Sequence, residues 1–154
     1  MAKVNVYLNF AGTTEEAFAF YQTVFGGELT GLMRMKDAPG TDHLSAEDAG
    51  KIMHVALPIG ENLVLHATDA LESMGHPLTV GNNFNLMVEA SSKTEADQFF
   101  KELSAGGQIN MPMQDTFWGD YYGALTDRFG VQWMIDYEPP RHCSLAHPEG
   151  RVCH

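Results

Sequence analysis

The chain has 154 residues, of which 44% are hydrophobic, and this composition is typical of a packed domain rather than a disordered segment. Its formal net charge of -11, from 20 acidic and 9 basic residues, argues against nucleic acid and anionic membranes as partners, because both attract basic surfaces. No apolar run approaches the roughly 20 residues that span a bilayer, and the N-terminal segment lacks the apolar core of a signal peptide. We therefore expect a cytoplasmic protein.

The first half of the chain predicts a strand, a helix and three more strands. The alternating run VNVYLNF predicts the first strand, and TTEEAFAFYQTVFGG predicts a helix, since apolar side chains recur at helical spacing before a Gly-Gly stop. Three further strands are predicted in ELTGLMRM, IMHVALPIG and ENLVLHATD. The acidic segment KDAPGTDHLSAEDAGK separates the first two of these, and we expect a solvated, mobile flap that forms plain surface, with a cover over a pocket as the alternative.

The second half predicts the same order of elements. A linker over residues 70–82, rich in glycine and proline, precedes the strand FNLMVEA and the helix SKTEADQFFKELSAGG. The three later strands are predicted in GQINMPMQD, WGDYYGALTD and VQWMIDYE. Residues 139–154 lose all periodicity, and we expect an irregular C-terminal tail.

The two halves repeat each other weakly but in order. At a shift of 80 positions Asn5 falls on Asn85, and the Gly-Gly stop of the first helix falls on that of the second. The final hairpins match at a shift of 70, which places His66 on Asp136. The repeat predicts one structural unit that is used twice.

This repeat predicts an α+β fold of two βαβββ modules related by pseudo-twofold symmetry. The modules cover about residues 1–69 and 83–138, and we expect them to form a single domain over residues 1–138. Each module leaves one face of its sheet uncovered by its helix, so two modules side by side would share a concave groove. Such a groove is a natural site for a small molecule.

The doubled plan resembles the vicinal oxygen chelate superfamily, which contains glyoxalase I, bleomycin-resistance proteins and extradiol dioxygenases. The chain looks like the PhnB-like branch of this superfamily over about residues 4–138. The segments that carry this resemblance are AFAFYQTVFGGEL, KIMHVALPIGENLVL and QDTFWGDYYGALTDRFGVQWMIDYE. This resemblance implies the glyoxalase/bleomycin resistance fold, a homodimer and a cavity for a small molecule.

The resemblance also implies where a divalent metal would be held. Enzymes of the superfamily take their ligands from the first and last strands of each half, which correspond here to Asn5, Val64, Asn85 and Met134. Val64 has no donor atom, and Met134 offers a soft thioether that suits these metals poorly. We therefore expect the usual metal site to be lost.

Three other residues leave a displaced metal site open. His66 and Asp136 lie two residues beyond Val64 and Met134, so strand alternation places them on the same faces. Together with His54 on the neighbouring strand they form a ligand set that suits Zn²⁺ or Ni²⁺. The other interpretation is that His54, His66 and Asp136 line the groove as polar residues without a metal, and this is our expectation.

A cluster of aromatic residues indicates a second part of the groove. Phe117, Trp118, Tyr121 and Tyr122 follow Gln114 closely. They predict a wall that stacks a planar or apolar ligand, with Gln114 orienting it. The alternative is that these rings pack in the core or at a dimer interface.

Methionine is frequent, with nine residues, and two pairs are spaced like a strand face. Alternation directs Met33 and Met35 to one face of their strand, and Met111 and Met113 to one face of the equivalent strand. These pairs predict a deformable apolar pocket or a dimer seam, with ordinary core filling as the alternative.

Three functional classes follow from these patterns. The first is a PhnB-like protein of undefined specificity that binds a small apolar or aromatic molecule and has no firmly assigned cofactor. A divalent-metal-dependent lyase, isomerase or dioxygenase is the alternative, and a purely structural dimer is the third. The sequence contains no nucleophile elbow, phosphate loop or HExxH motif. His142, Cys143, Cys153 and His154 match no standard zinc spacing.

Overall fold

The computed structural model describes residues 2–140 of the chain. It divides into two compact units, Met1–Gly81 and Asn82–His154. The predicted irregular course of residues 141–154, and the histidines and cysteines in that segment, lie outside the described residues.

The first unit contains the predicted strand, helix and three strands, with one additional short helix. Its elements are β1 (Val6–Phe10), α1 (Thr14–Phe25), β2 (Thr30–Arg34), α2 (Ala46–Ala49), β3 (Ile52–Ile59) and β4 (Leu63–Asp69). The sheet has the order β1-β4-β3-β2, in which β1 runs parallel to β4 and the other neighbours are antiparallel.

The second unit repeats this topology. Its elements are β5 (Leu86–Glu89), α3 (Lys93–Ser104), β6 (Gln108–Asp115), β7 (Tyr121–Thr126) and β8 (Gln132–Tyr137). The sheet order is β5-β8-β7-β6, again with one parallel pair, β5 and β8. Two four-stranded mixed sheets, each with its own long helix, confirm the predicted α+β class and the βαβββ plan.

Strand alternation separates a core face from an open face in the first unit. In β1, Leu8 and Phe10 are buried, whereas Tyr7 and Asn9 are exposed. Along β4, burial alternates in the same way, with buried Leu65, Ala67 and Asp69 between half-buried neighbours. The helix α1 contacts β3 and β4, so the core lies between α1 and the sheet and the opposite face stays open.

The helix α1 buries a slightly different stripe from the predicted one. Ala17 and Tyr21 are fully buried as expected, but Phe18 is buried with them, and the expected Phe20 is only half-buried. This difference is a rotation of the apolar stripe by roughly 60°, about a sixth of a turn of the helix, within the width of the apolar stripe of an amphipathic helix.

A buried carboxylate holds the N-terminus of α1. Asp69, at the end of β4, accepts hydrogen bonds from the backbone N–H of Thr14 (3.1 Å), the Thr14 hydroxyl (2.7 Å) and the backbone N–H of Ile52 (2.8 Å). The preceding residue Thr13 makes no side-chain cap, so Asp69 supplies the acceptor that the first turn of a helix needs.

The second unit has its own buried carboxylate in the turn between β7 and β8. Asp127 accepts hydrogen bonds from the backbone N–H groups of Phe129 (2.9 Å) and Val131 (3.0 Å) and from the indole of Trp133 (2.9 Å). The turn and the buried Trp133 are therefore fixed by one side chain.

The prediction that each methionine pair shares one face of its strand is wrong, because neither strand is regular at that point, although Met35 and Met111 each line a groove. The strand β2 ends at Arg34, and Met35 begins a 3₁₀ turn, so Met35 is buried while Met33 is 43% exposed. In β6 the register shifts between Met111 and Gln114; Met111 stays exposed, and Met113 packs beneath Gly123 on the core side.

The acidic loop contains a short helix that the sequence did not predict. The first turn of this helix, α2, is capped by Ser45, since the Ser45 hydroxyl accepts from the backbone N–H of Asp48 (3.1 Å).

The register of the two sheets corrects the predicted match between the final hairpins. Tyr7 lies opposite His66 in the first unit, and Met87, which is 80 positions after Tyr7, lies opposite Met134 in the second. His66 therefore corresponds to Met134, a shift of 68 rather than 70. Asp136 corresponds to Thr68 instead of His66. The two shifts differ by two residues, which is one full pleat of a strand. Each side chain therefore stays on the face of the sheet to which the sequence assigned it.

Candidate functional site

Two histidines meet on the open face of the first sheet. His54 on β3 and His66 on β4 are both half-buried, and Nε2 of His54 lies 3.1 Å from Nδ1 of His66. On the other side of His54, Nδ1 lies 3.3 Å from the carbonyl oxygen of Gly31. Tyr7 on β1 stacks nearly parallel to His66, with an interplanar angle of 8° and ring centroids 5.9 Å apart.

A groove of about 610 Å³ adjoins this imidazole pair at Tyr7. Tyr7, Asn9 and Thr68 form its strand wall, and Met35 and Met53 contribute flexible apolar surface. The opposite wall comes from the segment 70–78, which the sequence indicated only as a linker. Sequence patterning missed this wall, because a segment without periodicity gives no signal of the side chains that it directs inward.

The second unit has a groove of about 640 Å³ built from the predicted aromatic cluster. Its lining includes Gln114, Trp118 and Tyr122, together with Met111 and the exposed turn residue Phe117. Phe117 and Trp118 meet edge to face at 4.9 Å and are 97% and 48% exposed. Within the described part of the chain, these two rings therefore lie outside the core, which excludes core packing as their role.

Tyr121 has a different role from the other three rings. Its hydroxyl donates a hydrogen bond of 2.5 Å to Asp97 of α3, and the ammonium group of Lys93 lies 4.4 Å from its ring centroid. The hydrogen bond to Asp97, with burial, raises the pKa of Tyr121 to about 12. Tyr121 thus ties α3 to the edge of β7 and contributes to packing rather than to the groove wall.

Asp136 lies opposite Tyr122 in the ladder between β7 and β8. Burial, followed by the charge and a hydrogen bond of Asp120, raises the pKa of Asp136 to about 6, with further contributions from Glu89 and Glu138. Asp136 therefore retains its proton at mildly acidic pH. Asp136 does not line the groove itself; it adjoins the groove through Tyr122.

The residues at the superfamily's metal positions do not fit a divalent cation. Extending each parallel ladder by one residue places Asn5 opposite Val64 and Asn85 opposite Gln132, so Gln132 replaces Met134 at the fourth position. Three neutral amides and a hydrocarbon carry no charge with which to hold such an ion. Within residues 2–140, no three His, Cys, Asp or Glu side chains gather in a way that could bind a metal.

Among the described helices, none is both long and apolar enough to cross a membrane.

Known proteins with a similar sequence or structure share this fold. The family model of the glyoxalase/bleomycin resistance protein/dioxygenase superfamily matches residues 3–135. Protein YjdN of Escherichia coli is 31% identical over 138 residues, which cover 84% of this chain and 91% of that protein.

Two solved structures extend the comparison. Protein PA1353 of Pseudomonas aeruginosa is 34% identical with a TM-score of 0.79, and the match covers 90% of this chain and 98% of that one. A PhnB protein of Bacillus cereus is 25% identical with a TM-score of 0.73, covering 88% and 99% of the two chains.

Proposed function

We propose that this chain, which belongs to the glyoxalase/bleomycin resistance protein/dioxygenase superfamily, binds a small apolar or aromatic molecule on the open faces of its sheets. The observation that carries the proposal is the aromatic groove of the second unit. Phe117 and Trp118 expose large rings to water beside a groove whose volume suits a small ligand. Covering those rings with a planar molecule would remove apolar surface from water.

Polar side chains beside the apolar walls would orient the ligand. Gln114 offers an amide that can both donate and accept, and it pairs with Tyr122 across the β6–β7 ladder. His54, His66 and Asp136 are the further polar groups that we assign to ligand contacts. A few fixed polar groups among apolar surface are typical of sites that select a ligand by orientation.

Thermal unfolding with a broad set of planar metabolites tests the proposal. A ligand that binds only the folded chain raises its apparent stability. We expect at least one neutral aromatic compound to raise the Tm of the unmodified protein and to lose most of that effect in Trp118→Ala. Trp118→Phe, which keeps an aromatic ring, should retain it. If no compound in the set raises the Tm, the purely structural role is favoured.

The alternative function is metal-dependent catalysis, and the imidazole pair is the observation in its favour. His54 and His66 bring two nitrogen donors within 3.1 Å of each other, and imidazole suits Zn²⁺ and Ni²⁺. A bound cation of this kind would act as a Lewis acid on substrate oxygens. Elemental analysis of untagged protein decides between the functions: stoichiometric metal that disappears in His66→Ala supports the enzyme, and metal-free protein that still binds an aromatic compound supports the binder.

The proposal includes the homodimer and the cytoplasmic location expected from the sequence. Large apolar side chains that are more than half exposed and lie outside the two grooves, such as Val4, Val80 and Phe84, are the surface that a second copy would cover. Sedimentation equilibrium should give twice the mass of the chain at micromolar concentrations. A single-chain mass throughout the concentration range would contradict the dimer.

A further inference from the structure

The hydrogen bonds of His54 determine which of its nitrogens carries the proton. The carbonyl oxygen of Gly31 can only accept, so Nδ1 of His54, at 3.3 Å, must be the N–H donor. When the ring is neutral, Nε2 of His54 then has no hydrogen and presents a lone pair. The backbone of β2 thus fixes the tautomer of a side chain on β3.

The same reasoning passes from His54 to His66. Nε2 of His54 lies 3.1 Å from Nδ1 of His66, and a hydrogen bond requires that one of the two donate. Since Nε2 of His54 is the acceptor, Nδ1 of His66 carries the hydrogen, and Nε2 of His66 keeps the lone pair. No hydrogen bond engages that nitrogen among residues 2–140. An imidazole free in water prefers the opposite tautomer, with its hydrogen on Nε2.

Tyr7 connects this lone pair to a binding surface. Its ring stacks on His66 and also lines the groove of the first unit. The groove wall is largely apolar, and the ionisable side chains besides Tyr7 that line it are His76 and the carboxylate Asp69, whose oxygens are occupied by Thr14 and Ile52. A planar, neutral molecule suits this wall, because it contains no lysine or arginine that would favour an anion.

We propose that His54 and His66 form a tautomer-locked acceptor, in which Nε2 of His66 accepts a hydrogen bond from the hydroxyl of a neutral phenol-like ligand lying against Tyr7. The ligand class is therefore narrower than aromatic molecules in general. A hydroxyl on the ring is required, and the same ring capped as an ether is rejected, because the acceptor would be left without a donor. This proposal deepens the ligand-contacting role that the proposed function gives to His54 and His66.

The first test measures the tautomers directly, without a ligand or a variant. Nitrogen-15 spectra of histidine-labelled protein, at a pH where the rings are neutral, should show the hydrogen on Nδ1 in both His54 and His66. His43, which is exposed in the acidic loop, is the internal reference and should show the ordinary Nε2 tautomer. A hydrogen on Nε2 of His66 overturns the proposal, whatever the protein binds.

The second test compares two ligands of one shape, 2-naphthol and 2-methoxynaphthalene. Titrations followed at the ring signals of His66 should give at least ~10-fold tighter binding of the naphthol, the equivalent of one neutral hydrogen bond. His54→Phe should abolish this preference, because nothing then orients the ring of His66. His54→Gln should restore it, since the amide can donate to the Gly31 carbonyl and accept from His66.

His43→Ala is the matched control and should leave the preference unchanged. Equal affinity for the two compounds, or no binding of either at His66, overturns the proposal. The outcome is separable from that of the proposed function, because binding in the aromatic groove of the second unit is followed independently at Trp118.

Discussion

Single side chains of this protein divide into those that hold the fold and those that are free to contact a ligand. Asp69 belongs to the first group, since it is buried and accepts three hydrogen bonds from two elements. Tyr7 belongs to the second, because it is 52% exposed on the open face. Sequence alone does not separate the two groups. His66 and Asp69 are both polar residues near the end of β4, and their positions in the sequence do not show which of them contacts a ligand.

The role of Asp69 predicts a large loss of stability on its removal. Asp69→Ala leaves the first turn of α1 and the N–H of Ile52 without their acceptor, and we expect a loss of about 3 kcal/mol of unfolding free energy. Denaturant unfolding measures this change. Asp42→Ala, at an exposed position, should change the stability by less than about 0.5 kcal/mol. Equal effects of the two substitutions would contradict the assignment.

The raised pKa of Asp136 predicts a pH dependence of stability. The folded pKa of Asp136, about 6, lies above its ordinary value of 3.8, so the folded chain retains a proton that the unfolded chain releases. The stabilisation from this group is complete below about pH 4 and is lost as the pH rises through 6. Asp136→Asn should remove that decline, which denaturant unfolding at several pH values detects.

Asp42→Asn serves as the control for this pH effect and should keep the wild-type profile. The difference between wild type and Asp136→Asn should be on the order of 1 kcal/mol between the ends of the range, because solvent screening reduces the effect. An Asn variant whose stability follows the wild-type curve throughout would show that Asp136 does not retain a proton in the folded chain.

Residue faces were the most predictable part of the site. Strand alternation predicted that His66 faces the groove side of its strand, and the structure places His66 on the open face with its ring beside that of His54. Alternation could not predict the stacking of Tyr7 on His66, because this contact depends on β1 pairing in parallel with β4, between residues 59 positions apart (66 − 7) in the sequence. Long-range pairing leaves no local pattern in the sequence.

Elements were predictable in type and order, and less so in register. The Gly-Gly stops, the helical spacing and the alternating runs gave all eight strands and both long helices of the described chain. The errors fall where a strand departs from regular alternation. A bulge in β6 separates Met111 from Met113, and the 3₁₀ turn after β2 separates Met33 from Met35.

The packing of α3 on β7 yields a prediction for Gly123. A methyl group there would lie 2.6 Å from the sulfur of Met113 and 2.9 Å from the ring of Phe100, closer than real contacts allow. Gly123→Ala should therefore reduce the unfolding free energy by about 1–3 kcal/mol, the usual result of overpacking. In Gly50→Ala, where the new contacts are ordinary, the change should be within about 0.5 kcal/mol.

Thermal or denaturant unfolding compares these two glycine variants directly. An alanine at position 123 that costs no more than the one at position 50 would mean that β7 and α3 do not approach as closely as described.

At the scale of the whole molecule, repetition has preserved a framework while the chemistry of its two open faces has diverged. His66 in the first unit corresponds by register to Met134 in the second, and Tyr7 corresponds to Met87. One unit therefore presents imidazoles and a phenol ring, and the other an aromatic turn with a carboxyl pair. The repeat was visible in the sequence. Which individual side chains are equivalent was not, because insertions in the turns change the shift between the two halves and have no recognisable sequence pattern.

The loss of the superfamily's metal positions is also a property of the whole repeat. Amides occupy the first strand of each half, and Val64 and Gln132 occupy the last. A change at one position could be compensated by a neighbour, whereas four neutral positions leave no charged ligand in either half. Our account therefore bases function on the apolar grooves and their polar neighbours.

Indole N–H spectra of the untagged, metal-free protein, titrated with 2-naphthol, test this account most directly, because the chain has two tryptophans in contrasting places. Trp118 lines the aromatic groove, and Trp133 is buried with its N–H bonded to Asp127. We predict that the Trp118 resonance, assigned by its absence in Trp118→Phe, shifts saturably while that of Trp133 stays in place. A spectrum that remains unchanged at every naphthol concentration, or that changes only after stoichiometric Zn²⁺ is added, would contradict it.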